Sequence, residues 1–496
     1  MSNTHWIHLK TGDTHSWNLT SDDMDTNIAY LLMIATLGFF GYVGYKAATE
    51  KELDQDSYLS ARGTQNSLKI GLSLFASGMG IWILFGPSEV GYYGGFWDVV
   101  GYALSSATPF LLLAYVGPMI RGQLPDGVTL ADYVRMRIGR PMQIYVGFIS
   151  VAYMFTFLFA EFTAIGKAME ILGDMDPLIP MMAVGVVTAA YTAYGGLPAS
   201  LRTDRWQAWV VLWLIVVLLL ILFGGDIGSL ISDAKAYNPE DDWSIGSMSY
   251  MDSFASGLAL VIAITAAEMF SQGNWQRAWA SEDDEALKKG ALLAAGLVLP
   301  LVFIMGVLGT VVAGQGAVDD PSSVFFNLID DAHVLLIAAF VVLGIALVCS
   351  SVDTLQNAVV ASISRDLADG KMDLKQARIV TLAMIPLAIY LASTIDALSV
   401  FKIFLVADLL ATATVLPVFL TLWERIDSRA ALVGAMSGLL SVVVYGMATA
   451  DLSTGIGYLT SPTNEFGLAN LEVFLSALIG SGIVTIAGSE ILIRTE

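Results

Sequence analysis

The sequence predicts an all-α polytopic membrane protein with thirteen transmembrane helices, and three observations carry that prediction. Of its 496 residues, 56% are hydrophobic and only 14% charged, where a soluble domain carries about 25% charged residues. Mean hydropathy is +0.68. The apolar residues also return repeatedly in blocks of about 20, the length that crosses a bilayer as a helix. A soluble enzyme, a nucleic-acid binder and a secreted disulfide scaffold are excluded at this point. The single cysteine, Cys349, lies inside an apolar run and has no partner for a disulfide.

The elements follow in order. Residues 1–26 form a short acidic tail with Asp13, Asp22, Asp23 and Asp25 and no basic stretch ahead of the first apolar run, so no cleaved signal is expected. The first helix, 27–46, begins near Ile28. The second begins near Leu68 and is interrupted by Gly78, Gly80, Gly86 and Pro87. The third and fourth begin near Phe96 and Gln143, the fourth carrying Glu161 and Lys167. The fifth and sixth start near Leu178 and Trp206, the seventh near Phe254 with Glu268 toward its end, and the eighth near Leu287. The ninth, from about Val334, carries Ser350, Ser351, Asp353, Thr354 and Asn357. The tenth and eleventh begin near Ile379 and Leu398, the eleventh bearing Lys402 and Asp408. Two more, from Ala430 and Leu471, complete the chain within residues 430–496.

Alternate loops differ sharply in charge. One set holds 20 of the 24 basic residues, among them Lys46, Arg62, Arg121, Arg135, Arg202, Arg277, Arg365, Arg425 and Arg494; the other holds only Lys10 and Lys235. The positive-inside rule makes the rich set cytoplasmic, with the N-terminus outside and the C-terminus inside the plasma membrane. The net charge of −21 gathers mostly in exterior loops, at Asp174, Asp176, Asp233, Glu240 to Asp242, Asp319, Asp320, Asp330 and Asp331. No Walker motif is present, so ATP hydrolysis is not expected to supply energy. All four histidines (His5, His8, His15, His333) lie in or beside exterior segments, which leaves the membrane interior without a histidine metal site. Neither an enzyme nor a cofactor is expected. The remaining classes are a transporter, a channel and a transport-like sensor.

Two segments favour a transporter. In SLKIGLSLFASGMGIWILFGPSEVGYYGG the glycines weaken the second helix and Pro87 lacks a backbone donor. Broken backbone at membrane depth survives where it is buried or lines a cavity, and its freed carbonyls can coordinate a cation; a tightly packed glycine interface would use the same residues. In VVLGIALVCSSVDTLQNAVVASISRDL, Ser350, Asp353, Thr354 and Asn357 share one helix face, with Ser351 beside them. A carboxylate, an amide and hydroxyls together are hard ligands for an alkali cation, and an ionisable residue inside a membrane points to function.

These residues resemble the sodium/solute symporter family. SLFASGMGIWILFG is similar to its broken second helix, YTAYGGLPASLRTDRWQ to the motif after its fifth span, SQGNWQRAWAS to its seventh-helix exit and SSVDTLQNAVVASISRDL to its ninth helix. The resemblance extends over all thirteen spans and is nearest the sodium/proline branch, while WQRA also looks like the urea and polyamine branch. It implies a leucine-transporter-type core of two inverted five-helix repeats, 66–225 and 254–424. It implies a sodium site built from the carbonyls of Ala76, Met79 and Leu347 and the hydroxyls of Ser350 and Ser351. It further implies a second cation position at Asp204, Asp353 and Thr354, where Asp353 replaces a hydroxyl and one carboxylate could hold a proton instead.

The substrate positions implied are Gly78, Trp82, Ile83, Glu268, Gln272 and Asp408. Gly78 stands where the proline branch has an aspartate and the sugar branch an asparagine, and Ala267 where sugar transporters carry a gating tyrosine. The expected function is sodium-coupled symport of a small solute across the bilayer, an amino acid or similar zwitterion. Urea or polyamine transport, or proton coupling, is the alternative. If Glu268 and Asp408 both face the cavity, a solute with an amino or guanidino group is favoured.

Overall fold

The computed structural model describes residues 24–50, 54–224, 232, 251–316, 318, 320–329, 333–394, 400–464 and 468–495. Most of the acidic tail (1–23) and the segment bearing Asp233, Lys235 and Glu240 to Asp242 lie outside them, as do His5, His8 and His15. Among the described residues every named element is helical.

The principal helices are α1 (Thr26–Thr49), α2 (Gln55–Ser60), α3 (Ser67–Gly78), α4 (Gly86–Gln123), α5 (Leu130–Arg137), α6 (Arg140–Gly173) and α7 (Leu178–Gly224). After them come α8 (Met251–Glu268), α9 (Gln272–Ala280), α10 (Asp284–Gln315), α11 (Val334–Ser362), α12 (Leu374–Thr394), α13 (Val400–Phe419), α14 (Ser428–Thr449) and α15 (Leu471–Thr495). Carboxylate or amide side chains start several of them by accepting the orphan N–H groups of the first turn: Asp25 for α1, Asn66 for α3, Asp283 for α10 and Asp427 for α14.

Eleven helices among the described residues are long and apolar enough to cross a membrane. The expectation of thirteen is therefore not recovered as thirteen separate long helices, and the two differences have physical causes. The second segment is split, so α3 has only 12 residues before the break. The fifth and sixth segments follow one another without a loop within α7, as two helices that meet at Gly196, whose φ of 54° lies in the left-handed region and whose ψ of −149° is not helical. A Cβ there would stand 2.4 Å from the Tyr58 carbonyl oxygen, so the bend needs glycine twice over.

Helices α4 and α10 pack the closest. A Cβ on Gly91 would come within 2.0 Å of the Gly306 carbonyl, and one on Gly309 within 2.0 Å of the Ser88 carbonyl. Gly101 meets the Gly257 backbone of α8 in the same way, at 2.2 Å. Small residues at these crossings let backbones touch, which replaces the hydrophobic driving force that lipid does not supply. Basic side chains tie down one end of the bundle: Arg62 reaches Asp56 and the carbonyls of Pro125 and Gly127, Arg135 pairs with Asp369, and Arg365 with Asp132. Arg135 holds the exposed Asp369 carboxyl below the usual carboxylate range. At the opposite end, Lys167 at the close of α6 joins Asp320 and Ser322.

Candidate functional site

The break after α3 organises the centre of the molecule. The helix stops at Gly78; Met79 turns away from helical geometry (φ −100°, ψ 84°), Gly80 is extended, and Ile81–Leu84 form a single tight turn before α4 restarts at Gly86. The Met79 N–H still bonds back to the carbonyls of Phe75 and Ala76. Beyond it the Ile81 N–H turns to a side chain on α6, donating to Glu161 Oε2 at 3.0 Å.

Helix α11 faces this break with its polar stripe. Ser351 Oγ lies 2.6 Å from Glu161 Oε2, and 3.2 Å from the Leu347 carbonyl. Ser350 Oγ donates to Asp204 Oδ1 at 2.8 Å. Ala76, Met79, Leu347, Ser350 and Ser351 are all buried, on or just after α3 and on α11, two helices that pack against each other. The carbonyl and hydroxyl oxygens these residues carry are of the class that holds an alkali or alkaline-earth cation.

The position expected for a second cation is different. There the buried guanidinium of Arg277, from the short helix α9, donates to Asp204 Oδ2 at 2.7 Å and to Thr354 Oγ1 at 2.8 Å. Its Nε reaches Ser73 Oγ at 2.7 Å and its Nη1 the Gly273 carbonyl at 2.9 Å. Asp353 is engaged separately. It accepts from Tyr191 and Ser200, each at 2.6 Å, and from Thr203 at 3.0 Å. Those hydroxyls lie on both sides of the Gly196 bend, so Asp353 clamps the bent α7 onto α11. A permanent cation on Asp204 and Thr354, and hydroxyl donors on Asp353, fill what the sequence offered as a second ion site.

A cavity opens beside the break. Gly78 and Trp82 line it from the broken segment, with Tyr102, Phe110, Tyr153, Phe157, Phe404, Glu268 and Asp408 around them. Glu268 Oε1 accepts from Tyr153 at 2.8 Å and Oε2 from Asn274 at 3.0 Å, while Asp408 Oδ2 has no hydrogen-bond partner among the described residues. No lysine or arginine is among the described lining residues. Gly78 matters sterically, because a Cβ there would stand 2.8 Å from the Phe110 ring.

Four of the six substrate positions expected from the sequence, Gly78, Trp82, Glu268 and Asp408, line this cavity. Two do not. Ile83 points into a separate apolar crevice with Leu301, Met305 and Phe340. Gln272 is locked to the backbone of the segment before α5, donating to the Val128 carbonyl at 2.6 Å and accepting from the Leu130 N–H at 3.1 Å.

The matching family model, described as the sodium:solute symporter family, covers residues 58–438. The chain belongs to the sodium:solute symporter family. Among relatives of this symporter, a spermidine transporter of Candida albicans is 29% identical over 488 residues, 94% of this chain and 88% of its own length. A sodium/proline symporter of Staphylococcus saprophyticus is 25% identical over 223 residues, 43% of each chain. Among solved structures, a Na+-coupled sialic acid symporter in a substrate-bound outward-open state superposes with a TM-score of 0.76 at 15% identity, covering 94% of this chain and 97% of the other. A nucleobase-cation-symport-1 family transporter in a closed conformation gives 0.56 at 14% identity, over 89% and 96%. These likenesses fix the fold as leucine-transporter-type. Together with the family they support sodium-coupled solute symport by a multi-pass membrane protein.

Two residues of this symporter's centre escaped the sequence reading. Arg277 was counted with the loops because α9 is too short to register in hydropathy, yet all nine of its residues are buried. The dense polar and aromatic run QGNWQRAW was the available signal. Glu161 was noted as a charge within a span, but nothing in the linear sequence tied it to Ser351.

Proposed function

We propose that this chain is a sodium-coupled symporter importing an organic diamine or polyamine across the plasma membrane by alternating access. The observation that carries the substrate class is the cavity lining: two carboxylates, the buried Asp408 and the partly buried Glu268, among aromatic rings and with no basic side chain among the described lining residues. Ammonium groups compensate buried carboxylates and are attracted to ring faces. A zwitterionic amino acid, the first expectation, would bring a third carboxylate beside these two, with no lysine or arginine among the described lining residues to receive it. The spermidine transporter aligned along nearly the whole chain supports the same class.

In this reading sodium sits at Ala76, Met79, Leu347, Ser350 and Ser351. Its coordination sets the backbone of 76–82, and so places Gly78 and Trp82 against the solute, which makes the two binding events mutually favourable. The repeats 66–225 and 254–424 rock about this centre. The N-terminus is outside and the C-terminus cytoplasmic, following the lysine and arginine asymmetry. Arg277 acts as a resident cation on Asp204, so one sodium accompanies each solute. The membrane potential then adds about 2.3 kcal/mol per charge per 100 mV to the sodium gradient.

The test is uptake by purified protein in liposomes of spermidine, putrescine, urea, proline and myo-inositol, under sodium, choline or proton gradients. Saturable, sodium-dependent spermidine or putrescine uptake is expected. Glu268→Gln and Asp408→Asn should each raise the half-saturating amine concentration about tenfold or more, the scale of one lost charge-assisted contact. Proline or urea uptake with no amine uptake would overturn the substrate class, and uptake driven by protons alone would overturn the coupling ion.

A further inference from the structure

Resting on the sodium-symport reading, we propose that Glu161 is an anionic ligand of the coupling sodium, supplying Oε1 to the shell begun by the Ala76, Met79 and Leu347 carbonyls and the Ser350 and Ser351 hydroxyls. Glu161 lies on α6, a helix that contributes nothing to the ion site expected from the sequence. Its side chain is 1% exposed. Among the described residues it has no cationic partner: Lys167, on the same helix, is engaged with Asp320 and Ser322, and Arg277 with Asp204.

Its two oxygens are used unequally. Oε2 receives the Ile81 N–H and the Ser351 hydroxyl. Oε1 is buried with no hydrogen-bond partner among the described residues. It stands where a side chain at Gly80 would begin, 2.1 Å from the position of a Cβ there. Gly80 is the residue at which α3 has lost its helical geometry, so Oε1 is aimed at the stretch of backbone whose carbonyls the break sets free. A glycine at 80 is what admits it.

A simpler role would be capping alone, with Glu161 accepting the freed Ile81 N–H. Capping needs one acceptor oxygen, and an uncharged glutamine could supply it. It leaves the second oxygen buried without a partner, a cost that a neighbouring cation removes. A carboxylate next to a serine hydroxyl is also a hard ligand pair of the kind that prefers an alkali cation. The charge balance follows: the sodium-loaded site is locally neutral, and without sodium the buried carboxyl is left unmatched or takes up a proton.

Glu161→Gln separates the two roles because it keeps the shape and a capping oxygen while removing the charge. In liposomes, the half-saturating sodium concentration for amine uptake should rise about tenfold or more, while the half-saturating amine concentration at saturating sodium stays within about twofold. Raising the thermal midpoint of the purified variant should take about tenfold more sodium, and its midpoint in choline should equal or exceed that of the unaltered protein. An unchanged sodium half-saturation in folded Glu161→Gln overturns the assignment. Should that variant fail to fold, Glu161→Asp withdraws the carboxylate by one methylene. It should weaken sodium dependence and alter the lithium-to-sodium activity ratio, and no change in either overturns the proposal equally. Ser351→Ala, run alongside, keeps the outcomes apart. If it weakens sodium dependence and Glu161→Gln does not, only the role of Glu161 falls. If the unaltered protein shows no sodium dependence, the symport reading itself falls.

Discussion

Arg277 holds a full positive charge with no exposure to solvent, and its cost is offset by Asp204 and by the oxygens of Ser73, Thr354 and Gly273. Removing one partner of such a pair leaves a buried charge unmatched and costs about 3–5 kcal/mol, whereas replacing both with apolar groups is often neutral or better. Arg277→Met and Asp204→Leu should therefore each lower the thermal midpoint of the purified protein strongly, and the double variant should recover much of the loss. Additive losses in the double variant would show that the two side chains do not act as a pair. The sequence announced this cluster unevenly. Thr354 was visible on the polar face of the ninth segment, because hydroxyls, an amide and a carboxylate inside a span stand out, whereas Asp204, between Arg202 and Arg205, came only from the family resemblance. Arg277 was not visible, because a nine-residue helix wrapped by the rest of the bundle has no apolar length of its own.

At the scale of elements, the broken helix and the bent helix both trace to glycine. Gly78 and Gly80 with Pro87 mark the first in the sequence, since each lowers the stability of a continuous helix at that depth. At Gly196 two helices meet without a loop between them, and the non-helical φ and ψ of that one residue, which the apolar runs on either side do not reveal, make the break. The α4–α10 crossing depends on glycine in another way, through contact of backbones. Gly309→Leu should be among the most damaging substitutions outside the central site, because even a Cβ would meet the Ser88 carbonyl at 2.0 Å. Backbone on both sides of that contact leaves no flexible side chain to yield. The expected result is loss of folded protein on size-exclusion chromatography, while Gly296→Leu, on the same helix with open space at its Cβ, should be recovered normally. Equal recovery of the two variants would contradict this account of the crossing.

For the molecule as a whole, hydropathy and charge asymmetry carried the class, and ordered motifs carried the family, because both are properties of residues close in sequence. Contacts between distant segments were out of reach. Glu161 meets Ser351 across 190 positions, and Tyr153 meets Glu268 across 115; a helical face can be read from spacing, but not which other helix it will face. The same gap explains why Ile83 and Gln272, correct in neighbourhood, point away from the cavity. What the assembled centre adds is adjacency: the proposed ion ligands and the cavity share the backbone of residues 76–82, so in the proposed mechanism filling either one biases the other. The most direct measurement of that claim runs the coupling backwards, loading liposomes bearing the protein with radiolabelled sodium and imposing an outward spermidine gradient at zero membrane potential. Sodium efflux that requires spermidine, saturates with it and approaches one ion per amine is the predicted result. Sodium efflux unaffected by spermidine, or spermidine flux that carries no sodium, would contradict the account.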